Sequence, residues 1–285
     1  MERVAYLVNS TPAYYYLLPF HFTMIKRYGV FMENLFLATE VPDHPICQQV
    51  NKEFGVTLIP LDTKHAGFLE SRAAALRQLS LTGKFTFVLP VQEDFILERD
   101  PDFGALVEAL TIMGDSGGLI ASARLMPCPG PKGPTLPSRT LWAGLTSKTD
   151  EYGFTFQATL WTLDACCAWY MALAARLEEG WPAASTSAEQ RKHIEIRANF
   201  AENADGQHFF WKFFKARQQV HIGWVRVGPQ PNAVYLSPWP YRPTAIVQGR
   251  LESWAQDLAR REGVNVSQPT TLEPMTSLYD FGRGY

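Results

Sequence analysis

Two adjacent carboxylates, Glu93 and Asp94, follow a hydrophobic run and are the residues of this sequence best placed to do chemistry. The run over residues 85–91 predicts a β-strand, and Gln92 joins the two carboxylates at its carboxyl end. Because side chains alternate along an extended chain, we expect one carboxylate to face a cleft and the other to pack or pair sideways. A carboxylate at a strand end suits Mg²⁺ or Mn²⁺, which takes one or two protein oxygens and leaves its other positions to phosphate. The alternative is that both carboxylates cap the next turn and face solvent.

The elements that must position these carboxylates alternate along the first half of the chain. Short apolar runs predict strands at 3–9, 33–39, 56–61, 85–91 and 117–124. Between them, apolar residues recur at helical spacing over 69–79 and over 103–110, the latter behind Asp100 as N-cap and Pro101 at the first helical position. This alternation predicts an α/β fold with a mostly parallel central sheet flanked by helices. Its functional face should lie at the carboxyl ends of the strands.

The second half of the chain begins with a proline-rich loop after Arg124. Its pattern then predicts a strand at 153–160 and helices at about 164–177, 187–203, 206–215 and around 251–258. Phenylalanines at helical spacing over 209–214 indicate core. The aromatic rings of 224–241 are interleaved with prolines, which exclude regular central strands, so we expect some of them near the surface, where they could stack on a sugar.

Composition and charge argue against several classes of binding partner. Its 285 residues carry 26 Lys and Arg against 28 Asp and Glu, a net charge of -2, so no basic stripe for nucleic acid or an anionic membrane is expected. The 4 cysteines show no C-x-x-C spacing, which argues against a zinc knuckle or a disulfide framework. The sequence shows neither a secretory leader pattern nor a run approaching the ~20 apolar residues of a membrane span. We therefore expect a cytoplasmic protein without a membrane span.

The predicted strand with its Gln92-Glu93-Asp94 end resembles the metal-binding motif of GT-A nucleotide-sugar glycosyltransferases, in which an Asp-x-Asp or x-Glu-Asp element holds a divalent ion. A second segment, 154–164, is similar to a strand-to-helix junction on the acceptor side of the cleft in some small members of that fold. The resemblance of these two segments implies that one chain supplies both the donor side and the acceptor side of the cleft.

A third segment, 243–250, is similar to the tail that closes over the donor diphosphate in that family, with Arg250 where Lys is common. The resemblance covers most of the chain and implies a single GT-A-like domain. Residues 1–125 would form its nucleotide-sugar-binding half, and residues 126–285 its acceptor-binding half with the closing segment.

The resemblance also implies roles for individual residues. Asp94 would bind Mn²⁺ or Mg²⁺, and the ion would neutralise charge on the leaving nucleoside diphosphate. Glu93 and Gln92 would orient the donor sugar or the ribose. The remaining donor contacts would be Asn9, Ser10 and Thr11 beside the nucleotide, Tyr14 from the tyrosine run 14–16 on its base, and Arg250 at the diphosphate. The partners would be a nucleoside-diphosphate sugar and a glycan acceptor.

An inverting transfer needs a carboxylate that deprotonates the acceptor hydroxyl. Glu195 is the first candidate and Glu202 the second, and their spacing of seven residues predicts that both lie on one helix face. Solvated helix charges are the alternative for either residue. His221 could be a third metal ligand, although a packed or surface histidine is the simpler interpretation.

Two motifs point elsewhere and are set aside. Residues 114–118 reproduce the segment around the nucleophilic serine of trypsin-like proteases, but the helix before them and the strand after them favour a simple turn. The loop after the first predicted strand has neither a G-x-G-x-x-G pattern nor a P-loop, which argues against dinucleotide oxidoreductases and P-loop kinases.

The sequence therefore favours a metal-dependent hexosyl- or pentosyltransferase. A nucleotidyltransferase or a pyrophosphate hydrolase remains the alternative among enzymes, although the first loop lacks the glycine-rich, Lys- or Arg-bearing pattern usual there. A catalytically silent carbohydrate-binding protein of the same fold is the alternative from another class.

Overall fold

The computed structural model describes residues 3–29, 33–62, 67–127, 130–137, 139–179, 199–225, 237–242, 244–247 and 250–266. The strands are β1 Val4–Asn9, β2 Leu35–Thr39, β3 Thr57–Pro60, β4 Phe87–Gln92, β5 Ile120–Arg124, β6 Thr135–Leu136, β7 Arg139–Leu145, β8 Thr159–Thr162, β9 Val220–Trp224, β10 Ile246–Val247 and β11 Arg250–Leu251. The helices are α1 Leu18–Tyr28, α2 Pro45–Phe54, α3 Phe68–Leu81, α4 Phe103–Asp115, α5 Leu163–Glu179, α6 Ala204–Ala216 and α7 Ser253–Arg261, and a 3₁₀ helix spans Pro12–Leu17.

Nine of the strands form one sheet in the order β3-β2-β1-β4-β8-β5-β9-β7-β6, and β10 and β11 form a separate hairpin. The pairings give seven strands of the large sheet one direction and give β7 and β8 the opposite one. The predicted α/β class, with a mostly parallel sheet flanked by helices, is confirmed. Both halves of the sequence contribute strands, because β4 pairs with β8 and β5 pairs with β9.

The sheet is covered on both faces, which explains why β1, β2 and β4 are apolar except at their last residue. In β1, Tyr6 and Val8 pack into the core on one face, whereas Ala5 and Leu7 pack into the core on the other. Helices α1, α2, α4 and α7 cover the first face, and α3, α5 and α6 cover the second. All six residues of β1 are buried.

Three predicted boundaries are wrong for physical reasons. The strand expected at 153–160 begins only at Thr159, because the Gln207 side chain accepts hydrogen bonds from the N–H groups of Gly153 and Phe154 and holds that stretch outside the sheet. The N-cap of α4 is Asp102, whose Oδ1 accepts from Ala105 N at 3.0 Å, and it is not Asp100.

The helix expected over 187–203 falls mostly outside the described residues. Its predicted end is wrong, because residues 201–203 form a turn and Asn203 is the N-cap of α6, where its side chain accepts from Gly206 N at 2.9 Å. The turn interpretation of 114–118 is confirmed, because α4 ends at Asp115 and Gly117 and Gly118 adopt positive φ angles.

The expectation that some rings between 224 and 241 lie near the surface is not met by the three rings that the structure describes, and the fourth, Tyr235, lies outside the described residues. Trp224, Trp239 and Tyr241 are all buried. Trp224 is the last residue of β9, whereas Trp239 and Tyr241 follow Pro238 and Pro240 outside the named strands. The Tyr241 ring is stacked on Phe95 at 4.8 Å between ring centroids. None of the described helices has the length and apolar character needed to cross a membrane.

Candidate active site at the carboxyl ends of β1 and β4

The order of the strands reverses beside β1. From β1 the chain moves outward through β2 and β3, and then returns to place β4 on the opposite side of β1. In open α/β sheets, ligands bind at such a reversal, outside the carboxyl ends of the strands. The register pairs Asn9 with Gln92, so the end of β1 and the Glu93–Asp94 pair meet at this point, as the sequence predicted.

Asp94 is buried and tied to the C-terminal part of the chain. One carboxylate oxygen, Oδ2, accepts a short hydrogen bond from the Thr244 hydroxyl, and the Asp94 carbonyl accepts from Ala245 N at 3.2 Å. The other oxygen, Oδ1, is buried and has no hydrogen-bond partner among the described residues. Burial raises the pKa of this carboxyl above its usual range, and the hydrogen bond from Thr244 opposes the rise.

Glu93 is half-buried. Its pKa is raised, first by burial and second by the neighbouring charge of Asp94, whereas the guanidinium of Arg72 on α3 acts in the opposite direction. Arg72 is itself buried, with its guanidinium 4.9 Å from the ring centroid of Phe68. The two carboxylates therefore have different neighbours: the C-terminal hairpin for Asp94 and the guanidinium of α3 for Glu93.

Buried polar atoms without partners collect at the same edge of the sheet. Asn9 is 5% exposed, and both its amide oxygen and its amide nitrogen lack a hydrogen-bond partner among the described residues. The Tyr16 hydroxyl on the 3₁₀ helix also lacks a hydrogen-bond partner among the described residues. Burial is the main cause that raises its pKa to about 12, and the charges of Glu93 and Asp94 contribute to the rise. An unsatisfied buried polar group costs about 1–3 kcal/mol, so a protein seldom keeps several together unless a ligand or water completes them.

The other predicted donor contacts lie around these atoms. Ser10 is buried and Thr11 is exposed at the end of β1, and Gln92 is half-buried at the end of β4. Tyr14 is half-buried, and its pKa is raised by burial and by Glu93 and Asp94. The structure thus brings these residues together at the edge formed by β1 and β4.

Arg250 is exposed on the hairpin formed by β10 and β11, where it pairs with Val247. The hairpin is joined to the site because Ala245 donates to the Asp94 carbonyl and accepts from Glu252 N at 2.8 Å. The predicted closing segment is therefore attached directly to the carboxylate edge.

The structure describes only one of the two predicted general bases. Glu195 lies outside the described residues. Glu202 is half-buried in the turn before α6, where its Oε1 accepts from Phe156 N at 2.8 Å, so the expectation that it lies on a helix face is wrong. Burial raises the pKa of Tyr241, and the charges of Asp94 and Glu202 raise it further. The Tyr241 hydroxyl accepts from Ala158 N at 2.7 Å and donates to Gln157 Oε1 at 2.7 Å.

His221 is a packed histidine, as the simpler interpretation of the sequence predicts. It is buried on β9, its Nδ1 is 2.8 Å from Ser122 Oγ, and the rings of Phe210 and Phe214 pack against it. Burial lowers its pKa to about 3. Among the residues that the structure describes, no group of three or more His, Cys, Asp or Glu side chains could hold a metal by itself.

Three contacts of the site escaped the sequence analysis: His21 on α1, Arg72 on α3 and Thr244 before β10. The signal that His21 gives in the sequence is a polar residue on an otherwise apolar helix face, formed by Leu18, Met24 and Ile25 three or four positions away. Thr244 has no such signal, because its role depends on the C-terminal hairpin returning to β4.

Comparisons with known proteins give only distant structural similarities. No protein-family model matches the sequence, and no curated protein matches it. A solved structure of mannose-1-phosphate geranyltransferase from Thermus thermophilus is similar, with a TM-score of 0.39 and 13% identity over 78% of this chain and 74% of that one.

Two further solved structures are similar at the same level. A 4-diphosphocytidyl-2C-methyl-D-erythritol synthase has a TM-score of 0.35 and 15% identity over 68% of this chain and 85% of that one. A glycosyltransferase involved in glycosylation of the major capsid of PBCV-1 has a TM-score of 0.34 and 12% identity over 67% and 73%. Similarities of this size say nothing about function, which must come from the residues of the site.

Proposed function

We propose that this protein is a metal-dependent glycosyltransferase that transfers a hexosyl or pentosyl group from a nucleoside-diphosphate sugar to a glycan hydroxyl. One observation supports this above the others. At the point where the strand order reverses, two adjacent carboxylates lie beside the unpartnered buried atoms of Asn9, Tyr16 and Asp94. Such an edge offers oxygen ligands to a cation and hydrogen bonds to a polar ligand, which is what a nucleotide-sugar requires.

The residues at this edge fit a divalent cation. Asp94 has one buried carboxylate oxygen without a partner, and hard cations such as Mn²⁺ and Mg²⁺ take oxygen ligands. A cation would also offset the burial of two adjacent negative charges, which the raised pKa values of Glu93 and Asp94 show to be unfavourable. When bound, the ion would act as a Lewis acid on the diphosphate oxygens.

The remaining residues would bind and orient the donor. The Asn9 amide has both a donor and an acceptor to offer to the ribose or the base, with Ser10 and Thr11 beside it. The half-buried Tyr14 ring would stack on the base, and Gln92 and Glu93 would orient the sugar or ribose. The Tyr16 hydroxyl would donate to a ligand oxygen. Arg250 on the hairpin would approach the diphosphate.

The proton of the acceptor hydroxyl needs a base on the other side of the donor. Glu202 holds the Phe156 N–H with one oxygen and lies near Tyr241, whose other charged neighbour is Asp94. We therefore keep Glu202 and Glu195 as the two candidate bases. Replacing each by Gln should preserve donor binding, and loss of transfer in only one variant would identify the base.

Thermal unfolding with a panel of nucleoside diphosphates, with and without Mn²⁺, tests the proposal. A ligand at 100 times its Kd stabilises the folded state by about 2.7 kcal/mol, which is a clear rise in Tm. We expect such a rise with one nucleotide and only when Mn²⁺ is present. Equal Tm values throughout the panel would refute the proposal. If Tm rises in a metal-dependent way but no sugar donor releases nucleoside diphosphate in the presence of glycans, the catalytically silent alternative is favoured.

A further inference from the structure

The peptide backbone at the end of β4 is held by donors from several elements. The carbonyl of Val91 accepts from the Arg72 guanidinium of α3 at 2.8 Å. The carbonyl of Glu93 lies 3.0 Å from His21 Nδ1 of α1, and that of Asp94 accepts from Ala245 N at 3.2 Å. These three contacts, together called the β4 clamp here, fix the segment that carries the two carboxylates.

The tautomer of His21 follows from its two contacts. A carbonyl oxygen can only accept, so Nδ1 must carry the proton that it donates to Glu93. The second nitrogen, Nε2, then accepts from the hydroxyl of Tyr6 on β1 at 2.8 Å. His21 is 1% exposed, and burial lowers its pKa to about 4, so the ring is neutral at pH 7. A chain of two hydrogen bonds therefore runs from Tyr6 through His21 to the peptide that joins Glu93 to Asp94.

We propose that His21 is a positioning residue of the candidate site, whose Nδ1–H sets the orientation of the Glu93–Asp94 peptide and so directs both carboxylates. The inference rests on the proposed role of Asp94 as a metal ligand. Rotation of this peptide would move the side chains on both of its sides, because Glu93 supplies its carbonyl and Asp94 its N–H. Residues that orient metal ligands in this indirect way change metal affinity by about 10–100-fold when they are replaced.

The test compares variants of the full chain for Mn²⁺ affinity, measured by calorimetric titration with Mn²⁺ alone. His21→Leu removes the donor, whereas His21→Asn keeps an N–H near the position of Nδ1. We expect His21→Leu to weaken Mn²⁺ binding by about tenfold or more and His21→Asn to stay within about threefold of the native affinity. Equal affinities for His21→Leu and the native protein, or equal losses in both variants, would overturn the proposal.

His221→Leu is the matched control, because His221 is also buried and also bonded through Nδ1, but to Ser122 Oγ on β5. A merely structural effect of losing a buried histidine would lower Tm in both His→Leu variants. Only His21→Leu should lower the Mn²⁺ affinity. Were His21→Leu not to fold, Tyr6→Phe serves in its place, because it leaves Nε2 without its donor and frees the tautomer, for an expected loss of about threefold.

Amide hydrogen exchange separates this inference from the proposed function, because it needs no metal. In His21→Leu we expect faster exchange over residues 92–97 than in the native protein, with unchanged exchange over 4–8. In His221→Leu, residues 92–97 should exchange as in the native protein. Absence of Mn²⁺ binding by the native protein would refute the proposed metal role, whereas unaltered exchange over 92–97 in His21→Leu would refute the positioning role of His21.

Discussion

Two buried regions of this protein use their side chains in opposite ways. The aromatic layer, formed by Phe154, Trp161, Trp169, Phe210, Phe214 and His221, lies between the sheet and helices α5 and α6. The carboxylate edge, formed by Asn9, Tyr16, Glu93 and Asp94, lies at the carboxyl ends of β1 and β4. Both regions are removed from water, but only the edge buries charge.

The contacts within each region show the difference. In the aromatic layer, ring centroids lie 5.1 Å apart for Trp169 and Phe210 and 4.4 Å apart for Phe214 and His221, with edge-to-face geometry that is favourable for rings. Its unpaired polar atoms, such as His221 Nε2, are single ring nitrogens. At the edge, a carboxylate oxygen of Asp94 and the whole amide of Asn9 have no partner within the part of the chain that the structure describes. The layer therefore stabilises the fold, whereas the edge lowers stability and is suited to a ligand.

The largest effect is expected in the aromatic layer. Phe210→Ala should lower the free energy of unfolding by about 3–5 kcal/mol, because it leaves a cavity among four or more rings. Urea unfolding measures this loss. The Mn²⁺-dependent stabilisation by nucleotide should persist in the folded fraction. Its disappearance in Phe210→Ala would contradict the separation between the two regions.

The second effect is a loss of ligand stabilisation at the edge. Asp94→Asn should abolish the Mn²⁺-dependent gain of about 2.7 kcal/mol at 100 times the Kd, measured as a Tm shift. Without ligand, the variant should be as stable as the native protein or more so, because it removes a buried charge with an unpaired oxygen.

Asp150→Asn is the matched control for this prediction. Asp150 is also buried, but its oxygens accept from Lys132 N at 2.8 Å and from Thr146 N at 2.9 Å. Its replacement should therefore cost about 1–3 kcal/mol of stability and leave the nucleotide shift intact. If instead Asp94→Asn lowered the stability and kept the nucleotide-dependent Tm shift, whereas Asp150→Asn lost that shift, Asp94 would be structural.

The central sheet and the location of the site could be predicted from the sequence because both depend on local patterns. Apolar runs gave β1, β2, β3, β4 and β5 within a few residues, and the carboxylates had to follow β4. Strand β7 and helices α1 and α2 are not predicted from the sequence. Strand β7 follows the proline-rich loop and α1 follows the tyrosine run, and both segments obscure the periodicity beside them.

The contacts that complete the site could not be predicted, because they join residues far apart in the chain. Thr244 reaches Asp94 across 150 positions, and His21 reaches Glu93 across 72. Nothing local distinguishes Thr244 from any other threonine in a loop. The buried state of Trp239 and Tyr241 is of the same kind, since prolines exclude a regular strand but do not decide whether a ring packs inward.

The third effect is the dependence of stability on pH, which has opposite signs for His221 in the aromatic layer and for the two carboxylates of the edge. The pKa of His221 is lowered to about 3, below the usual 6.5 of the unfolded chain. Between these values the unfolded state binds the extra proton, so stability falls as the pH drops below about 6.5, by up to about 1.4 kcal/mol per pH unit. His221→Phe, made with Ser122→Ala to leave no unpaired hydroxyl, should reduce this acid slope in urea unfolding between pH 4.5 and 7. The slope that remains comes from the buried His21, whose pKa is lowered to about 4.

The carboxylate edge should show the reverse dependence. Burial raises the pKa values of Glu93 and Asp94 above those of the unfolded chain, so the folded state holds the extra protons and stability falls as the pH rises above about 4. Glu93→Gln combined with Asp94→Asn should remove this slope and leave the His221 slope in place. If the double variant keeps the same dependence on pH, the pKa values of these two carboxylates are not raised in the folded protein.

The smallest effect tests whether an unpaired amide is kept for a ligand. Asn9→Leu replaces a buried side chain whose two polar atoms have no partner among the described residues, so stability without ligand should stay equal or rise by about 1 kcal/mol. The nucleotide-dependent Tm shift should fall, because Leu offers neither donor nor acceptor.

Gln207→Leu, beside the aromatic layer, is the contrast to Asn9→Leu, because it replaces a buried amide whose hydrogen bonds are made within the fold. The Gln207 amide is buried, accepts from Gly153 N at 2.8 Å and Phe154 N at 3.0 Å, and donates to Phe154 O at 2.8 Å. Its replacement should lower stability by about 1–3 kcal/mol, since it leaves those backbone groups unpaired, and should not alter the nucleotide shift. Two buried amides would then respond in opposite directions, because one is satisfied by the fold and the other is completed only by what binds. Asn9→Leu with lower stability and an unchanged nucleotide shift would instead assign the amide to the fold.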